Sequence, residues 1–189
     1  MTANEEKLTP SMNTDQLPKA LTGIRGLDEV TCGGLPTGRT TLVCGSPGCG
    51  KTLLGMEFLI RGAMEYGEPG VCLSFEESVA ELSANVASLG FDVKDLIARK
   101  LLAIDYIYLD RSSMQETGDY DLEALFVRLA LAVNTVGAKR IFIDSVESLF
   151  ASLANESILR SELRRLFRWL KDNGLTAVVT GEGGGEWIF

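Results

Sequence analysis

Gly45-Ser46-Pro47-Gly48-Cys49-Gly50-Lys51-Thr52 is the stretch whose reading decides the fold. Its spacing, G-x-x-x-x-G-K-[ST], is that of a phosphate-binding loop. Each position has a physical reason. The glycines let the backbone turn its N–H groups inward, the Lys51 ammonium reaches the outer phosphates of a nucleotide, and the Thr52 hydroxyl suits Mg2+. Upstream, residues 39–44 (Arg-Thr-Thr-Leu-Val-Cys) read as a buried strand. Downstream, residues 51–66 carry a helical apolar period through Leu53, Leu54, Met56, Phe58, Leu59 and Ala63. The loop therefore joins a strand to a helix N-terminus, whose free N–H groups and positive dipole end attract phosphate.

Further strands and helices alternate outward from this unit. Residues 71–75 predict a second strand that ends in Glu76-Glu77. Ser78 and Glu81 fit a capping box for a helix running to Ser88, with Gly90 as its stop. Residues 92–100 predict a short helix, 101–108 a third strand, and 110–121 a polar loop. A helix over 122–136 stops at Gly137, a fourth strand covers 140–144, and an amphipathic helix from 156 stops at Gly174 before a fifth strand at 175–180. Before the loop, residues 22–30 predict a short helix and 33–38 a compact turn. Residues 1–20 read as a mobile leader, 21–182 as one nucleotide-binding domain, and 183–189 as an unmatched tail. The alternation predicts an α/β domain, a mostly parallel sheet with helices on both faces.

Composition narrows the function. The 189 residues are 46% hydrophobic, which suits one domain with a sizeable core. A net charge of -8 repels polyanions, and no basic run interleaved with aromatics offsets it, which weighs against nucleic acid as a partner. Histidine is absent, and Cys32, Cys44, Cys49 and Cys72 form no C-x-x-C pair, so they read as reduced core thiols. No apolar segment is long enough for a signal peptide or a membrane span, and a cytoplasmic location is the expectation.

Ligands of such folds bind beyond the carboxyl ends of the strands, which places the loop, Glu76-Glu77, Asp144 and Thr180 on one edge. Asp144 ends an apolar strand, the position of the acidic residue that meets the Mg2+ shell in phosphate-loop enzymes. A strand-end carboxylate or a helix N-cap reads the same way. Glu76 and Glu77 stand where a carboxylate can direct the attacking water. An acidic first turn of the next helix reads the same way too. Period two sends their side chains in different directions, so both cannot do one job.

Gly33-Gly-Leu-Pro-Thr-Gly-Arg-Thr-Thr-Leu-Val43, the Gly45 to Thr52 loop, Glu68-Pro-Gly-Val71, Phe75-Glu-Glu77, Leu89-Gly-Phe91 and Ile143-Asp-Ser-Val146 together resemble the KaiC family, clock ATPases of the RecA superfamily. The resemblance covers about residues 24–182 and is closest to the first of the family's two repeated domains. It implies a RecA-like P-loop core that binds ATP and Mg2+ between neighbouring subunits of a ring, usually a hexamer, and hydrolyses ATP slowly. It places the phosphates on Gly48, Cys49, Gly50, Lys51, Thr52 and Leu53, with Gly45, Ser46 and Pro47 completing the loop. The metal falls to Thr52 and Asp144, and catalysis to Glu76, Glu77 and Lys51. Ser88 is placed near the base or ribose, and a plain helix-end serine reads the same way. A partner similar to KaiB or to a signalling kinase is implied.

Residues 183–189 do not match the family, whose chain continues into strands with basic residues that reach a neighbour's nucleotide. The expectation is a core that lacks those final strands, by truncation or as a short form, with its fifth strand at an exposed sheet edge. Kinase activity is not expected, because the second domain and its phosphorylated residues are missing. Two other functions stay open: an ATP-dependent assembly module without turnover, and a RadA/RecA-like DNA recombination ATPase.

Overall fold

Val71, Leu73 and Phe75 contribute to one hydrophobic cluster and Cys72 to a second. The same alternation divides Ile141 and Ile143 from Phe142, and Ala177 and Val179 from Val178. Strands that bury both faces this way need a helical layer on each side. The computed structural model, which describes residues 17–107, 122–150 and 156–182, has this layered arrangement.

The chain begins with β1 (Lys19–Ala20), α1 (Leu27–Val30) and β2 (Leu35–Pro36), then enters the core with β3 (Thr40–Gly45) and α2 (Lys51–Glu65). Next come β4 (Gly70–Ser74), α3 (Val79–Ala87), α4 (Val93–Ala98) and β5 (Leu102–Tyr106). The last described elements are α5 (Leu122–Val136), β6 (Arg140–Asp144), α6 (Val146–Phe150), α7 (Glu156–Asp172) and β7 (Thr176–Glu182). One five-stranded sheet runs in the order β3-β7-β6-β4-β5, and every pair in it is parallel. Leu125 and Leu129 of α5 and Leu163, Leu166 and Leu170 of α7 cover one face. Met56 and Leu59 of α2, Leu82 and Val86 of α3 and Leu96 of α4 cover the other.

Gly55 lets α2 lie close on the sheet. A Cβ there would stand 2.2 Å from the Phe142 ring. That close approach carries α2 from the end of β3 across β7 to β6 and aims its first turn at the carboxyl end of β6. Helix limits follow their local signals. Ser78 and Glu81 form both bonds of a capping box at α3, and Gly137 and Gly174 follow α5 and α7 with φ of 64° and 66°.

The structure corrects several expectations. The fifth core strand, β7, is not at the edge: it lies between β3 and β6, and β3 and β5 are the edges among the described residues. Residues 176–179 are buried throughout and 177–179 register with both neighbours, which only an interior strand can do. Only Cys72 is a core thiol. Cys44 on edge strand β3, Cys49 in the loop and Cys32 are exposed, and all four cysteines are free. Lys19–Ala20, assigned to the leader, pairs antiparallel with Leu35–Pro36. The rest of the leader up to residue 16, the loop at 110–121 and the tail at 183–189 lie outside the described residues.

Candidate active site

β3 delivers the chain into the loop, and Gly48 and Gly50 turn it with φ of 77° and 92°. At Gly45 a Cβ would meet Cys49 Sγ at 2.4 Å, so the loop folds back on its own first residue. Gly50 then stands at the N-cap of α2 and offers no side-chain cap, and the first turn contains no acidic residue. By contrast α3 has Ser78 as its cap and Glu81 in its first turn. The first-turn amides of α2 therefore face the cleft without a side-chain oxygen to satisfy them, the arrangement that suits a phosphate. Lys51 lies at the same place, with Nζ donating to the carbonyls of Gly45 at 2.7 Å and Ser46 at 3.2 Å.

Thr52 Oγ1 donates to Asp144 Oδ2 at 2.6 Å. Asp144 is 3% exposed, and its other oxygen accepts a short hydrogen bond from Thr180 on the intervening strand. A hydroxyl and a carboxylate at this mutual distance are hard oxygen donors, and Mg2+ is held in such sites by few protein oxygens and several waters. The residues present therefore fit a nucleotide phosphate with Mg2+.

Pairing of β4 with β6 brings the two glutamates to this point. Ser74 registers with Asp144, and the Phe75 amide donates to the Asp144 carbonyl at 2.9 Å. Glu76 and Glu77 follow past the end of β4, where strand periodicity no longer applies, and their carboxylates take different partners. Glu76 Oε1 accepts from Ser145 Oγ and Ser148 Oγ, both at 2.7 Å. Glu77 Oε2 accepts from Asn85 Nδ2 at 2.7 Å. Burial and then the negative charge of Asp144 raise the pKa of Glu77 above the usual glutamate range, while the Asn85 bond opposes them.

Pro47, Gly48, Gly50, Lys51, Thr52, Leu53, Glu76, Glu77 and Asp144 line one cleft of about 390 Å3, together with Asn85, Ser145 and Glu182. Gly45, Ser46 and Cys49 form the loop behind it without lining it. Ser88 does not line it either: its hydroxyl donates to the Asn85 carbonyl at 2.9 Å and closes the end of α3. Asn85 was not found by sequence reasoning, and its signal is the i+8 spacing from Glu77, two helical turns past the capping box. Ser145 and Ser148 were missed because α6, the short helix after Asp144, was not anticipated. Glu182 reaches the cleft through β7, which runs two residues further than the sequence suggests. Its amide donates to Glu147 Oε1 at 2.6 Å.

A family model described as "ATPase: KaiC" matches residues 20–186. Circadian clock protein KaiC2 of Synechocystis sp. is 60% identical over 177 residues, 94% of this chain and 31% of that protein. The circadian clock oscillator proteins KaiC of Parathermosynechococcus lividus and Synechococcus elongatus are 42% and 39% identical, over 88% and 94% of this chain and 31% and 34% of theirs. The chain thus spans about a third of the length of these relatives. A loop, a strand-end aspartate and a glutamate pair round one cleft agree with that match, and the chain belongs to the KaiC family of ATPases.

Proposed function

We propose that this cleft binds ATP with Mg2+ and hydrolyses it at an interface between copies of the chain. The observation that carries the reading is convergence: an uncapped helix N-terminus, the Thr52–Asp144 pair and two differently held glutamates meet round one cleft. The loop amides and Lys51 would hold the phosphates, Leu53 would pack beside them, and Thr52 and Asp144 would hold the metal. Bound there, Mg2+ neutralises charge on the phosphoryl oxygens. Glu77, whose proton affinity is raised, takes the role of directing and deprotonating water, and Glu76 braces α6 through two serine hydroxyls.

The interface part rests on charge. Among the described residues, four carboxylates line the cleft, from Glu76, Glu77, Asp144 and Glu182, and Lys51 is the one cation. Charge that develops on a transferred phosphoryl group calls for more positive groups, which a neighbouring copy in a ring, hexameric by family resemblance, would bring. The relatives' names extend the proposal to a clock-like role, and the family resemblance extends it to a signalling role in the cytoplasm with a partner similar to KaiB or to a signalling kinase. Among the described residues no helix is long and apolar enough to cross a membrane.

The test measures mass by light scattering and phosphate release on one sample, with and without Mg-ATP, beside Lys51→Ala. Nucleotide-dependent assembly with phosphate release that Lys51→Ala abolishes is the expected result. ATP binding and assembly without release would leave a non-hydrolysing assembly module. Salt-sensitive binding of single-stranded DNA would instead favour the recombination reading.

A further inference from the structure

Glu77 is held at both ends. Ser74 Oγ donates to its carbonyl at 2.7 Å and accepts from its amide at 3.1 Å, which fixes the backbone. Asn85 Nδ2 donates to its carboxylate at 2.7 Å, which fixes the side chain. Asn85 is exposed, but the helix that carries it is not free to move. Its N-terminus is fastened by the Ser78–Glu81 box, and Leu82 and Val86 on either side of Asn85 are fully buried. The position of the amide is therefore set by the core.

The chemistry of the holder also matters. An arginine or lysine in its place would pair with the carboxylate and lower its basicity, and an apolar residue would leave it free to rotate. A neutral amide orients the carboxylate and leaves its charge in place. We propose that Asn85 is a positioning residue that holds the Glu77 carboxylate in the cleft for its water-directing role, an inference that rests on the hydrolytic reading of the site. The charged groups that act on Glu77 are Asp144 on β6, the adjacent Glu76 and Glu81 of α3, with Lys51 lining the same cleft. All three carboxylates favour its protonated form, and the Asn85 amide is the group that opposes them.

The test uses the full 189-residue chain in two arms. Without nucleotide, the side-chain amide resonance of Asn85, identified by its loss in Asn85→Ala, is followed by NMR in wild type and in Glu77→Gln. It is expected to move on the Glu77 substitution, and an unmoved resonance overturns the contact whether or not the chain hydrolyses ATP. With Mg-ATP, Asn85→Ala is expected to lower kcat about tenfold, in line with loss of a hydrogen bond to a charged group, with KM for ATP changed less than about twofold. Its acidic pH limb should move to higher pH, and the same substitution in a Glu77→Gln background should cost nothing further. Equal loss in both backgrounds, or a rise in KM that accounts for the loss, overturns the proposal. If wild type releases no phosphate, the hydrolytic reading falls and the catalytic sense of the contact falls with it.

Discussion

Thr52 Oγ1 and Asp144 Oδ2 stand 2.6 Å apart although 92 residues separate them. The bond closes the first turn of α2 onto a strand two places away from β3 in the sheet. Thr180, on the strand between, takes the other carboxylate oxygen. The pair fits an Mg2+ shell, so Thr52→Ala should weaken ATP binding in Mg2+ by about tenfold or more and change it little in EDTA, while Thr52→Ser keeps the Mg2+ effect. Calorimetric titration in the two buffers checks this. Equal Mg2+ dependence in Thr52→Ala and wild type would remove Thr52 from the metal site.

Glu77 gives a pH-dependent prediction. Burial, then the charge of Asp144, raise its pKa in the folded chain. The folded state therefore holds this proton more tightly than the unfolded chain. The contribution to stability is fully present below a glutamate's unfolded pKa and is lost as pH rises through the folded pKa. Glu77→Gln keeps the shape without the charge. It should melt higher than wild type at about pH 8, with the advantage shrinking toward about pH 4.5. Melting curves across that range test the sign, and a variant that melts lower at high pH would mean that the Asn85 bond outweighs the repulsion.

Most of this architecture was legible because its signals are local. The loop pattern, the Ser78–Glu81 box and the stops at Gly137 and Gly174 each fix a backbone conformation within a few residues, and the elements begin and end there. Strand order was not legible. A parallel crossover can land on any strand, and the buried run Thr176-Ala177-Val178-Val179 reads alike in any interior place, so only the fold itself shows that β7 pairs with both β3 and β6. The site divides the same way. Lys51, Thr52 and Asp144 follow from motif and strand end, whereas Asn85, Ser145 and Ser148 become site residues only through the directions Glu76 and Glu77 take. The exposure of Cys44 was not legible because it depends on β3 being an edge.

Gly55 carries the packing of α2. Alanine is the better helix former by about 1 kcal/mol, so in isolation Gly55→Ala would stabilise. Here the added methyl would meet the Phe142 ring at 2.2 Å, and the ring is fully buried in the same cluster. Overpacking of this kind costs about 1–3 kcal/mol, which outweighs the propensity. Gly55→Ala should therefore destabilise in urea unfolding, and Phe142→Leu should recover part of the loss in the double variant. A Gly55→Ala chain as stable as wild type would mean that α2 can shift without cost.

Arg140 is fully buried at the opposite end of β6 from Asp144. Its guanidinium donates from Nε to Glu68 at 2.6 Å, from Nη1 to the Phe58 carbonyl at 3.0 Å and from Nη2 to the Leu21 carbonyl at 2.7 Å. It lies over the Phe58 ring at 4.6 Å, and Gly62 makes the room, since a Cβ there would stand 2.4 Å from Cδ. One side chain thus joins α2, the turn before β4 and the segment after β1. Arg140→Met keeps the volume of the stem but removes the guanidinium from the Glu68 carboxylate and from the Phe58 and Leu21 carbonyls, at about 1–3 kcal/mol for a buried group left unpaired. A loss of roughly 2–5 kcal/mol in urea unfolding is expected. Because Leu21 is released with it, hydrogen exchange should rise in residues 19–24 ahead of the sheet. Uniform exchange across both would show that Arg140 holds the core as a whole and does not specifically fasten that segment.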